Sequence, residues 1–405
     1  MRRVFKTLLT LAAFFCAITS ARAAGARYDV SYLWHGKLAS VAAYRGKIGR
    51  VLGPEVADRL RIVRGPKNYG LIYHRRGNGA GAAKVAKAHA KLLRSRGLEE
   101  ASAIRSRDWT FVSGDGRELR PSATETAQAR RDRDEEVHDL ETAVEAYIKR
   151  LRHKGRVASD ERTAWSVYDF TTGEKLVDIN EDLQLQAASL VKPFFALAFF
   201  HEVERGELIY GSKSRRHMER MIQRSDNRST NWIIRHVGGP KAMQRILAGH
   251  YGNIFRDVRI VEYVPAGGRT YRNKASARDY SRFLYALYKG QIPRAAEIKR
   301  LMSLPNRDRI YTGASEVPKG TKVYDKTGST ARLCGDMGIL IVRGADGERY
   351  PYTIIGVIEK RQPARDYLAW IQSRGDVIRD VSNIVYQAIS RRHGLSAGSG
   401  VAATR

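Results

Sequence analysis

From residue 28 to residue 107, apolar and polar positions alternate in short runs. Residues 28–33, 60–64, 68–75 and 101–105 follow the period of two expected of half-buried strands. Residues 38–52 and the Ala/Lys-rich stretch 80–95 have helical spacing instead. The order is β-α-β-β-α-β, a small α+β unit. Residues 114–134 have no apolar period and include Arg120-Pro121-Ser122, which predicts a linker. Helical spacing resumes over 137–151. Residues 165–168 and 175–179 predict two strands joined by a tight turn at Thr172-Gly173. A long apolar helix begins near Ser189 and runs through Phe194 to Glu204. Residues 338–342 and 352–358 predict adjacent strands, and 368–389 a closing amphipathic helix. This succession of helix, strands, helices, strands and helix predicts an α/β sandwich built on an antiparallel sheet.

At 405 residues the chain is long for one compact domain. The pattern divides it into a leader (1–23), a small basic α+β domain (24–112), a linker (113–134), a larger domain (135–393) and a frayed tail (394–405). The leader has Arg2, Arg3 and Lys6, then an apolar run over 7–20, then Ala21-Arg22-Ala23. That is the layout of a secretory signal cleaved after Ala23, and it predicts a periplasmic or secreted protein with no membrane attachment after cleavage. The other reading, an uncleaved anchor, needs about 20 apolar residues, more than the run supplies. Cys16 follows the bulky Phe14 and Phe15, unlike the small residues of a lipoprotein signal. After cleavage only Cys334 remains, which excludes an internal disulfide and a Cys-rich metal site.

Lys and Arg total 72 against 42 Asp and Glu, a net +30. Residues 28–107 hold 17 of the cations and five of the acids, a net +12. Such an excess points to an anionic partner: nucleic acid, anionic lipid or a wall polymer. Export argues against nucleic acid.

Three short motifs carry candidate chemistry. In Ser189-Leu190-Val191-Lys192, a helical spacing of three brings the hydroxyl and the amine to one face. The positive end of a helix and its free N–H groups suit a developing oxyanion. Lys192 can act as a base only when neutral, and burial beside Phe194, Phe195 and a second cation would favour that state. Taken alone, the motif reads equally as a capping serine and a surface lysine. Ser225-Asp226-Asn227 lies between helical segments 215–223 and 230–237. Its hydroxyl could relay a proton and its amide could grip a substrate amide, although all three residues also cap helices. Lys326-Thr327-Gly328 looks like an edge strand whose cation and hydroxyl suit a carboxylate, with Gly328 allowing close approach of a ligand. Ser329 follows it.

In this order the three motifs resemble those of class A β-lactamases and penicillin-binding proteins. The flanking Ala187-Ala188, Ser229-Thr230-Asn231 and Gly238-Gly239-Pro240 agree, and the resemblance covers residues 137–389. It implies an active-site serine hydrolase. Ser189 would be the nucleophile, Lys192 the general base and Ser225 the proton relay. Asn227 would hold the acylamino side chain, and Lys326, Thr327 and Gly328 the substrate carboxylate. The N–H groups of Ser189 and Ser329 would form the oxyanion hole. No cofactor and no metal are implied. Two substrates fit: a β-lactam amide, or the D-Ala-D-Ala end of a peptidoglycan stem peptide. A non-catalytic wall-binding scaffold is the third possibility.

The chain also departs from the family pattern. The loop carboxylate that activates the deacylating water would be Glu262, but it falls one residue late and no Leu-Asn follows. Arg259 and Asn273 stand where an Arg–Asp ion pair normally ties that loop, which predicts a looser loop. The stretch between Lys192 and Ser225 is short, so one wall of the cleft is reduced. The arginine that often assists the carboxylate anchor is out of place, and Arg332 is the candidate substitute. The small domain resembles SPOR-type peptidoglycan-binding domains through its aromatic-x-Val strand starts and Ala-rich helices. His201, His217, His236 and His250 show no metal-binding spacing and read as structural.

Overall fold

The computed structural model describes residues 28–77, 79–98, 101–107, 109–118, 127–265 and 272–395. The expected leader with its cleavage site and Cys16, residues 119–126 of the expected linker, and the tail from 396 lie outside these residues. Two compact units emerge. One takes residues up to Tyr44 together with Leu60–Leu119; the other takes Arg45–Arg59 and Arg120–Arg405.

From the N-terminal side the elements are β1 (Tyr28–His35), α1 (Leu38–Leu52), α2 (Pro54–Ala57), β2 (Leu60–Arg64), β3 (Tyr69–Gly77), α3 (Gly79–Arg94), β4 (Ser102–Arg105) and β5 (Thr110–Val112). The strands form one antiparallel sheet in the order β4-β1-β3-β2-β5. Its first four strands have the arrangement of the expected β-α-β-β-α-β unit. β5 is an addition that three residues are too few to announce by periodicity. A buried hydrogen bond of 2.8 Å between the Tyr32 hydroxyl and His89 Nδ1 fixes α3 on the sheet.

The larger unit, which also takes Arg45–Arg59, continues with α4 (Ala127–His153). This helix starts inside the stretch expected to be a linker. Residues 127–136 carry no apolar face, but they are mostly strong helix formers with Arg130–Asp134 and Arg131–Glu135 spaced four apart. Next come β6 (Glu161–Asp169), β7 (Glu174–Ile179) and β8 (Leu185–Gln186), then a single 3₁₀ turn, Ala188–Val191. The helical segment follows: α5 (Lys192–Glu204), α6 (Ser212–Gln223), α7 (Asn227–His236), α8 (Pro240–His250), the short strand β9 (Lys274–Ala275), α9 (Ala277–Tyr288) and α10 (Ala295–Met302). The chain closes with β10 (Lys322–Thr330), β11 (Leu333–Arg343), β12 (Arg349–Lys360) and α11 (Tyr367–His393).

The main sheet is antiparallel in the order β10-β11-β12-β6-β7. α4 and α11 join one core with Trp165, Leu340 and Ile354. The other core gathers α5 to α10 with Ile339, Ile355 and Val357. α5 lies in the middle of this second core. Every residue from Lys192 to Phe200 is buried, as an apolar circumference requires, and each buried Phe contributes ~1.5–3 kcal/mol. Glu161 is buried on α11, where Arg374 and Trp370 donate to its carboxylate.

Candidate active site

The first motif does not begin a regular helix. Ser189 sits in the 3₁₀ turn, and α5 starts at Lys192, with Pro193 in its first turn. Ala188, just before the serine, is left-handed at φ 46°, a conformation that costs a non-glycine residue about 1 kcal/mol or more. Backbone bonds hold the turn: Ala187 N–H donates to Asn273 O at 2.9 Å and Leu190 N–H to Ala187 O at 3.0 Å.

The second motif links α6 and α7. Ser225 is also left-handed, at φ 54°. Asp226 caps α7 by accepting from Ser229 N–H at 2.7 Å. Asn227 is therefore the first helical residue, three earlier than the sequence pattern indicates. The cap ends the turn, and the helix follows at once.

The two motifs meet at Lys192. Its Nζ donates to Ser225 O at 2.5 Å and to Asn227 Oδ1 at 3.0 Å. Burial pushes the ammonium pKa well below the ordinary lysine value; Lys326 adds to this and Asp226 opposes it. The Ser225 Oγ is buried and has no hydrogen-bond partner among the described residues.

The third motif lies on β10, the sheet edge beside the turn, as expected. An ideal Cβ on Gly328 would fall 2.7 Å from Leu190 Cγ and 3.4 Å from Ala188 Cβ. Gly328 therefore makes room for the serine turn, a packing role that its place on an edge strand did not suggest. This close approach brings the Ser189 turn against β10. Lys326 is 1% exposed and donates to Thr327 O at 3.0 Å. Burial lowers its pKa to about 8, Asp325 and Asp336 oppose the shift, and Arg309 adds to it. Behind it, burial together with Asp336 and Asp308 raises the Asp325 carboxyl well above its usual range. Burial and Asp308 raise Asp336 to about 7, against Arg309.

Arg309 is the residue that the sequence did not single out. Its guanidinium donates to Ser329 Oγ at 2.7 Å and to Gly335 O at 3.0 Å. Its own N–H donates to Asp336 Oδ2 at 2.6 Å. Arg332, the expected substitute cation, instead donates from Nε to Lys360 O.

Among the described residues the loop after α8 is tied by side-chain amides and backbone bonds, and the expectation of a loose loop fails there. Asn273 Oδ1 accepts from Val261 N–H at 2.8 Å and Glu262 N–H at 3.1 Å, and its Nδ2 donates to Glu262 O. Arg259 and Lys274 exchange two backbone bonds. Asn231 clamps Val264 in both directions, at 2.8 and 2.9 Å. A side-chain amide offers a donor and an acceptor together, so it can replace a missing strand partner. The Glu262 carboxylate accepts from Arg272 N–H within its own loop.

Two of the histidines have side-chain partners: His201 meets Tyr251 OH and His217 meets Ser229 Oγ. Among the described residues no group of His, Cys, Asp and Glu is arranged to hold a metal, and no helix is long and apolar enough to cross a membrane.

A family model described as Beta-lactamase enzyme family matches residues 143–214 and 213–389, more than half of the chain. Among solved structures, PBP-A has a TM-score of 0.51 at 22% identity, over 62% of this chain and 96% of that one. A PBP-A mutant solved as an acyl-enzyme complex with penicillin-G matches equally well. An ancestral class A β-lactamase, GNCA, follows at 0.50 and 19%, over 62% and 99%. A class A β-lactamase from Bacteroides cellulosilyticus gives 0.50 and 17%, over the same shares. At these identities the likeness is one of fold. No curated protein matches the sequence.

Proposed function

The chain belongs to the β-lactamase enzyme family, and from that premise we propose that it is an exported serine hydrolase whose Ser189 is acylated by a carboxylate-bearing amide, a β-lactam ring or the peptide it imitates. One observation carries the reading. Lys192 is buried between two neutral oxygens, Ser225 O and Asn227 Oδ1, with a second lysine within electrostatic reach. Such a setting favours a neutral amine, the form a base requires.

The Ser189 Oγ attacks the amide carbonyl as Lys192 Nζ takes the hydroxyl proton. The oxygen of the new tetrahedral centre becomes an anion facing the N–H groups of Ser189 and Ser329. Collapse breaks the C–N bond, and the proton held by Lys192 passes through the Ser225 hydroxyl to the departing nitrogen. The unpartnered Ser225 Oγ suits this relay, since a leaving amine would supply its missing partner. Lys326, Thr327 and Arg309 through Ser329 receive the substrate carboxylate. Water then cleaves the ester and restores the serine.

Substrate choice turns on that last step. A β-lactamase needs fast deacylation. The Glu262 carboxylate is engaged with Arg272 N–H, which favours the second reading, a D-Ala-D-Ala carboxypeptidase or penicillin-binding protein with a long-lived penicillin ester. In both readings the basic residues 28–107 would bind the glycan of peptidoglycan. If the chain were a non-catalytic scaffold, Ser189 would not react at all.

Intact-mass analysis after penicillin exposure, followed over time, tests the proposal. The parent should gain the whole mass of one penicillin, because ring opening loses no atoms, while Ser189→Ala should gain nothing. An adduct that persists for hours marks a penicillin-binding protein, and one that disappears as the drug is consumed marks a β-lactamase. A parent whose mass never changes and which consumes no drug would sink the proposal.

A further inference from the structure

α6 and α7 carry a surface that the acyl-transfer chemistry does not use. Residues 212–236 contain seven Lys and Arg against two Asp and Glu, a net +5. Both acids are occupied: Glu219 pairs with Arg300 at 2.8 Å, and Asp226 caps α7. Arg216 and Arg235 are exposed. Among these cations lies a stack of three rings. His217 and Trp232 are 4.3 Å apart at 14°, Trp232 and His236 are 3.5 Å apart at 27°, and Lys213 Nζ lies 5.9 Å from the Trp232 ring centre. His236 is exposed at the outer end of the series. Burial, Arg220 and Lys213 hold His217 below the usual histidine range, and the surrounding cations supply the charge of this surface.

This surface connects to the site. His217 Nδ1 meets Ser229 Oγ at 3.1 Å, Ser229 N–H donates to Asp226, and the next residue, Asn227, holds Lys192. Trp232 lies five residues along α7 from Asn227, about 7.5 Å of helix rise. α6 lies within the Lys192–Ser225 stretch, between the first two motifs.

Flat rings framed by cations suit a polymer that alternates apolar sugar faces with carboxylates. Sugar C–H groups pack on aromatic rings, and carboxylates meet Arg and Lys. We infer that the α6–α7 face is a docking surface for an acidic glycan, specifically a peptidoglycan strand whose peptide stems bear carboxylates, which it holds beside Ser189. The inference deepens the wall-substrate branch of the proposed function and rests on it.

The test uses the full chain carrying Ser189→Ala, so that binding is read without turnover. Insoluble peptidoglycan is sedimented with this protein, with its Arg216→Glu/Arg235→Glu derivative and with a Trp232→Phe derivative. The charge-reversed protein should lose about tenfold in apparent affinity and show a shallower salt dependence. Trp232→Phe, which keeps a ring, should lose less than about threefold. In the Ser189 background the charge-reversed variant should still be acylated by penicillin at the parental rate, which shows that it is folded. Unchanged sedimentation of the charge-reversed protein would overturn the inference, as would equal retention on single-stranded DNA, which would mean charge without glycan recognition. Failure of Ser189 to acylate would count against the proposed function alone, because the binding measurement does not depend on it.

Discussion

Lys192 and Lys326 are each 1% exposed, and they differ in what surrounds them. Among the described residues Lys192 donates to two neutral oxygens, and the charges that act on it are Lys326, which lowers its pKa, and Asp226, which opposes. Lys326 has Asp325 and Asp336 behind it, and its pKa falls only to about 8. Burial discharges a lysine unless a carboxylate is buried with it. On the proposed function, the same residue type would serve as a base at Lys192 and as a cation at Lys326. Burial and mutual repulsion raise the carboxyl pKa of both acids, and that of Asp336 to about 7.

The sharpest way to break the comparison is to place arginine, which cannot lose its proton, at each position. Lys192→Arg should lower the acylation rate by about 10³-fold, within the range general bases contribute. Lys326→Arg keeps the charge and should mainly raise KM, by about tenfold or less, with kcat nearly unchanged. Time-resolved mass spectrometry with penicillin measures both. Equal losses at the two positions would end the distinction.

A pH profile probes the same contrast. The folded pKa of Lys326 lies below its ordinary value, so the charged anchor is complete below about pH 8 and disappears as pH rises through it. kcat/KM for carboxylate-bearing substrates should then fall by about tenfold per pH unit above that point. Asp336→Asn removes a carboxylate that supports the charge, and should move the fall to lower pH. A profile flat to pH 10 would mean that Lys326 does not anchor the substrate.

Arg309→Ala should have a smaller effect. It removes the guanidinium from Ser329 Oγ and Gly335 O but leaves Lys326 in place. A charged hydrogen bond contributes ~1.5–3 kcal/mol, so KM should rise by about tenfold for substrates with a carboxylate and hardly at all for an ester lacking one. Arg332→Ala is the matched control and should leave both unchanged.

Legibility in the sequence followed the same division. The three motifs were readable because the chemistry needs neighbours within three or four residues, the long strands because they are buried as nearly continuous apolar runs, and α11 because it buries a periodic face. Arg309 was not readable. It reaches Ser329 from a loop without period, through a backbone bond to Asp336 that only the β10–β11 pairing places there. For Gly328 the sequence could suggest a ligand but could not show that Leu190 packs against it. The start of α4 was missed because residues 127–136 have helix-forming composition but no apolar rhythm.

Smallest of all should be the effect of Glu262→Ala. Its carboxylate accepts from Arg272 N–H, while the loop is held by the amides of Asn273 and Asn231 on the backbone of Val261, Glu262 and Val264. Removing the carboxylate leaves all five amide bonds intact. Acylation and the lifetime of the penicillin ester should each change by less than about twofold. Asn273→Ala removes three of the five bonds and leaves three backbone groups without their partners, at ~1 kcal/mol or more each, so it should lower Tm and speed proteolysis within the loop. If Glu262→Ala instead prolonged the ester a hundredfold, the carboxylate would be positioning the water after all. The chain would then be a β-lactamase whose deacylating group sits at an unusual place in the loop.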